Sequence, residues 1–146
     1  MFTDFMDSQL TKSKISPFEE VAKILREDFP YYAGWKFIEK KDGTAHYCAL
    51  AYLEKKKGYS DWRIRLNMID NILEKYGFSY DESTMEKLCP VEGCQHTGPL
   101  VGLIEHMNAG HKLSAEEIAN AIEKLEHDNR KLPPLWKKIV AQITFN

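Results

Sequence analysis

Long apolar runs are missing from this 146-residue sequence. None approaches the roughly 18–20 residues that a membrane-spanning helix needs. The first fourteen residues also lack the charged-then-apolar order of an export signal. The expected compartment is therefore the cytoplasm, or the nucleus if the source has one. Cysteine is scarce, and its count of three is odd, which does not suit a disulfide framework. There is no internal repeat, no low-complexity tract, no phosphate-cradling glycine loop and no nucleophile elbow. What is present is an ordinary globular composition, 43% apolar and 29% charged. That is enough for one buried core, as a single domain or a domain with a small appendage.

The net charge of −2 conceals an asymmetry. Residues 1–35 carry 4 basic and 6 acidic side chains, residues 36–65 carry 8 and 4, and residues 66–146 carry 8 and 12. Only the middle segment is basic, so a polyanionic partner would be met there.

Along the chain, residues 1–14 read as a flexible polar arm. Ser16-Pro17-Phe18-Glu19 has the form of a capping box, with proline at the first helical position. Phe18, Val21, Ala22, Leu25 and Phe29 give the helix one apolar face, and Pro30 ends it. Asp42-Gly43 is a strong hairpin signal, because both positions of such a turn take positive φ. A two-residue loop makes Glu39 face His46, Phe37 face Cys48 and Trp35 face Leu50, with strands over 35–41 and 44–54. A helix restarts at Ser60-Asp61, with Trp62, Leu66, Ile69, Leu73 and Tyr76 on its core face and Gly77 as its cap. Residues 78–88 read as loop with one short turn. Ser114-Ala115-Glu116-Glu117 is a second capping box, stapled by Leu113 and Ile118. Beyond Pro133-Pro134 a last short helix carries Leu135, Trp136, Ile139, Val140 and Ile143. The expected fold class is α+β: an αββα body with a short antiparallel hairpin (15–88), a cysteine- and histidine-bearing segment (89–113) and C-terminal helices (114–146).

The cysteine- and histidine-bearing segment is Cys89-Pro90-Val91-Glu92-Gly93-Cys94, then eleven residues, His106, four residues and His111. A Zn2+ ion takes four sulfur or nitrogen ligands at tetrahedral corners. Pro90 and Gly93 suit the tight turn that would present both thiols. Thr97 is the expected cap of the following helix and Pro99 its first turn. Leu100, Val101, Leu103 and Ile104 give that helix apolar faces, and His106 lies on it. A five-residue step overshoots one face of a regular helix, so the helix must loosen or end near Asn108–Gly110 for His111 to turn back toward the metal. His96 competes with the two histidines as a ligand. A closed set of four ligands leaves no place for a substrate.

This segment resembles a C2H2 zinc finger over residues 89–111, with Leu103 in the place of the finger's core leucine. The Cys-to-His spacing is eleven rather than about twelve, and Gly98 stands where the family carries an aromatic residue. The resemblance thus implies a metal site more than a standard ββα finger. Residues 104–119 are also similar to small tailed-phage proteins of unsettled role. That similarity implies a finger fused to a following helix, and no activity.

Finger resemblance implies nucleic-acid binding, but no lysine or arginine lies between Cys94 and His106, and phosphate contacts need cations. The better nucleic-acid candidates are Lys36, Lys40, Lys41, Lys55, Lys56, Lys57, Arg63 and Arg65, interleaved with Tyr59 and Trp62. The same lysines also fit a solvated rim that protects a sheet edge. His46, Cys48 and Glu39 could in principle form an activated thiol, but read more simply as a core cysteine beside a cross-strand polar pair. No enzymatic activity is expected. Two functions remain in competition. One is a nucleic-acid-associated accessory or regulatory protein using the basic hairpin. The other is a protein-interaction or assembly module using the apolar finger helix and the helix with Trp136.

Overall fold

A computed structural model describes residues 15–34, 38–66 and 71–127. The arm 1–14, Trp35, Lys36, Phe37, Ile69 and the expected last helix with Trp136 lie outside the described residues. The fold is α+β, with two small antiparallel strand pairs among helices.

Helix α1 spans Pro17–Leu25. Ser16 caps it, its hydroxyl accepting from the Glu19 N–H at 3.1 Å. The helix stops at Leu25 rather than running to Pro30, so Phe29 lies beyond it and stacks on Tyr52. Strands β1 (Ile38–Lys41) and β2 (Thr44–Tyr47) form the expected hairpin in the expected register, with Glu39 paired to His46. Asp42 and Gly43 have φ of 50° and 77°, as this turn requires.

The second strand is much shorter than its pattern suggested. Residues Ala49–Lys56 form helix α2, built from alanine, leucine, glutamate and lysine, which favour helix. Cys48 is its cap, the thiol accepting from the Ala51 N–H at 3.4 Å. Cys48 and Leu50 therefore leave the hairpin and face the core. Helix α3 is brief, Asp61–Arg65, and buries Ile64 rather than Trp62. Leu73 and Tyr76 are buried, but in a separate 3-10 turn, Ile72–Tyr76, opened by the Asn71 side chain and closed by Gly77 at φ 99°. Asn71 is thus a cap placed inside the stretch whose period suggested one long helix. Helix α4 (Tyr80–Thr84) leads into strands β3 (Lys87–Leu88) and β4 (Thr97–Gly98), then helix α5 (Leu100–Glu105). Helix α6 (Ala115–Glu126) starts with the expected capping box, in which Ser114 and Glu117 satisfy each other's backbone N–H.

One apolar cluster runs from Phe18 to Leu125 and takes in α1, α2, α5 and α6. The N-terminal and C-terminal helices of the described chain, α1 and α6, pack on each other. Arg26 reaches across to Asn120 and Glu123. Among the described residues, no helix is long and apolar enough to cross a membrane.

Glu54 is an ionisable side chain in this packing, only 5% exposed. Burial pushes its carboxyl up from 4.5 to about 7. The unfolded chain ionises Glu54 at the lower value, so its ionisation erodes stability as pH rises from about 4.5 to about 7, and the loss persists above that. The Glu54→Gln variant should therefore be more stable than the parent at pH 8 by about 1–3 kcal/mol, with a smaller difference at pH 5. Urea unfolding at the two pH values measures this, and equal differences at both would contradict it.

Candidate metal centre

The metal segment begins with a ladder. Lys87 pairs with Gly98 and Leu88 with Thr97, and the Cys89 N–H donates to the His96 carbonyl at 2.8 Å. Between them the chain reverses in a turn closed by the Cys94 N–H on the Val91 carbonyl, 3.0 Å. Gly93 holds φ 82° in that turn, a conformation that disfavours any side chain. The turn brings both sulfurs to one side. The His96 N–H lies 3.5 Å from the Cys94 sulfur.

The strands lead into α5, whose cap is Pro99 and not Thr97; Thr97 is taken up by β4. The helix continues past Glu105 as a π-helical segment, His106–Gly110. The His111 N–H donates to the His106 carbonyl at 3.1 Å, the i→i+5 bond of a π-helix. This is the loosening that the five-residue histidine spacing demands. In the wider turn His106 and His111 face the same point, their ring centroids 4.6 Å apart. Lys112, at φ 54°, turns the chain so that the Leu113 N–H reaches the Met107 carbonyl at 3.1 Å.

One donor atom from each of Cys89, Cys94, His106 and His111 lies within 4.8 Å of all the others. An S2N2 tetrahedron with metal–sulfur bonds of about 2.3 Å and metal–nitrogen bonds of about 2.0–2.1 Å has edges of roughly 3.3–3.8 Å. Cys89 Sγ to His111 Nε2 is 3.8 Å and Cys94 Sγ to His106 Nε2 is 3.4 Å. Two edges are thus already at bonding length, and the four residues fit a single metal ion. Burial first, and then His96 and His111, lower the pKa of His106, favouring the neutral ring that ligates. His96 stands outside this donor set and stacks on His106, centroids 4.0 Å apart and planes 14° from parallel.

Asn108 ties the centre to the body, and sequence reasoning missed it. It lies between the two histidines and is 2% exposed. Its Oδ1 accepts from the Ala49 N–H (3.1 Å) and lies 2.9 Å from the Tyr31 hydroxyl, and its Nδ2 donates to the Gly34 carbonyl at 2.8 Å. The Ala49 donor and the Gly34 acceptor fix which way the amide faces. Burial raises the Tyr31 pKa, which keeps the phenol a donor, and its hydroxyl also meets the Leu113 carbonyl at 2.5 Å. The available signal was position: Asn108 falls one turn after Ile104 on the buried stripe of Leu100, Leu103, Ile104 and Met107.

The basic residues are placed differently from expectation. Lys40 and Lys41 are exposed on β1. Lys55 and Lys56 end α2, and Lys57 caps it, so none of the three belongs to the hairpin. Lys55 pairs with Asp61 at 2.9 Å and Lys56 with Glu27 at 3.1 Å. Lys57 lies over the Tyr76 ring. Arg63 and Arg65 sit on α3, with the Arg63 guanidinium 5.0 Å from the Tyr59 ring centre. Cys48 is buried, its thiol pushed up to about 11 chiefly by burial, and the His46 ring faces the Thr44 carbonyl.

Compared with known proteins, the chain matches no family model, no curated protein and no solved structure.

Replacing Asn108 with alanine strands the buried Ala49 N–H and Gly34 carbonyl. The metal-loaded protein should lose about 2–4 kcal/mol in urea unfolding. A loss under about 0.5 kcal/mol, the range of ordinary surface changes, would show that Asn108 is not the tie described.

Proposed function

We propose that this is a small zinc-binding protein without enzymatic activity, whose metal is structural and whose body associates with nucleic acid. The carrying observation is the convergence of Cys89, Cys94, His106 and His111 on one point. Two thiolates and two imidazoles in a tetrahedral set suit zinc above the harder divalent ions. Four protein ligands complete the ion's usual coordination, so a substrate has nowhere to bind it. The zinc closes the knuckle onto α5, and α5 in turn is buried against α2.

That burial also bears on which surface acts. Leu100, Leu103, Ile104 and Met107 are fully buried, so the apolar face of α5 is occupied within the chain. This weighs against a partner protein docking on that face. The same helix has no lysine or arginine to offer a DNA groove. The cationic side chains at the end of α2 and on α3 are the better support for a nucleic-acid role, by charge complementarity.

Elemental analysis of protein purified without chelator should give about one zinc per chain. His111→Ala should lose or weaken it, and chelation should lower the melting temperature of the parent alone. Metal-free parent protein that melts at the same temperature with and without added zinc would refute the structural role. Reversing Lys55, Lys56 and Lys57 to glutamate should abolish binding to nucleic acid, and parent binding should weaken steeply with salt. Affinity that survives the triple change would exclude these lysines.

A further inference from the structure

Trp62 was expected in the core, yet it is 65% exposed, and Leu66 one turn on is 52% exposed. Trp62 stands at the start of α3, just after the corner where α2 hands over to it, and Leu66 caps the end of α3. Residues 55–66 carry five basic side chains and one acidic, Asp61, which Lys55 already compensates. Arg65 also acts electrostatically on Asp61, and Arg63 lies over an aromatic ring, that of Tyr59. The hairpin strand with Lys40 and Lys41 packs beside α3. The Tyr47 hydroxyl bonds to the Asp61 carboxylate at 3.0 Å, which fixes the start of that helix against the hairpin.

We propose that this corner binds single-stranded nucleic acid, with Trp62 as the platform on which a base stacks. The inference rests on the nucleic-acid reading above and narrows it to one class of ligand and one residue. An apolar protein partner would match Trp62 and Leu66 but not the arginines that flank them. A polyanion with flat, unpaired bases matches both: the guanidinium groups meet phosphates and the indole meets a base. In a duplex the bases are stacked on one another and have no free face to offer Trp62, which selects single strands.

The test uses the zinc-loaded 146-residue chain and fluorescence anisotropy of labelled oligothymidylate and oligouridylate of about 15 nucleotides, beside a duplex of equal length. Single strands should bind more tightly than the duplex. Trp62→Ala should weaken single-strand binding by about 5- to 100-fold without changing its salt dependence, since no phosphate contact is lost. Trp62→Phe should keep most of the affinity. Arg63→Gln and Arg65→Gln should each reduce the salt slope by about 0.7. Because Trp62 is exposed, the melting temperature of Trp62→Ala should match the parent and separate lost binding from lost folding. If the arginine variants weaken binding and Trp62→Ala does not, or if duplex binds as well as single strand, the stacking proposal fails while the nucleic-acid reading stands. If the parent binds neither strand nor duplex, both fail.

Discussion

Two histidines five residues apart on one helix can meet at a point only if the helix widens between them. A regular turn of 3.6 residues would leave their rings on different faces. The segment from His106 to Gly110 resolves this by becoming π-helical, which turns His111 back beside His106. A widened turn is less favourable than a regular one and persists where something holds it. Here the holding is done by Asn108 in the middle of the turn, bonded to Ala49 and Gly34 and beside Tyr31. The geometry of the four donors and the docking of the segment on the body are thus one arrangement.

The same arrangement explains why α2 begins where it does. The Ala49 N–H is one of the unpaired donors at the start of a helix, and Asn108 supplies its acceptor from a segment 59 residues away. The Cys48 thiol supplies another acceptor locally. Neither partner belongs to a motif that announces a helix start.

Several elements were legible because their cause is local. Ser16 with Pro17, Asp42 with Gly43, and Ser114 with Glu117 each fix their own turn or cap through neighbouring atoms, and the structure has all three. The histidine spacing likewise required the helix to loosen or end near Asn108–Gly110, and it loosens. What escaped was set by distant contacts. The pattern through Tyr47 and Leu50 suited a strand, but Tyr47 exchanges backbone bonds with Pro30 and Tyr32 and the chain then turns into α2. Trp62 shares a helical period with Leu73, yet Asn71 begins a new turn between them and the period is broken. The role of Asn108 could not be read locally because its backbone partners, Ala49 and Gly34, are 59 and 74 positions away.

The apolar side of α5 carries a further consequence. In a free-standing finger the helix and its strands enclose their own small core. In this chain the strands are two residues each, Gly98 offers them no ring, and Leu100, Leu103, Ile104 and Met107 are buried in the core cluster that α1, α2 and α6 share. A segment built this way is not portable. Strung in tandem, each copy would expose four large apolar side chains, so recognition by repetition, one finger after another along a groove, is not open to this architecture.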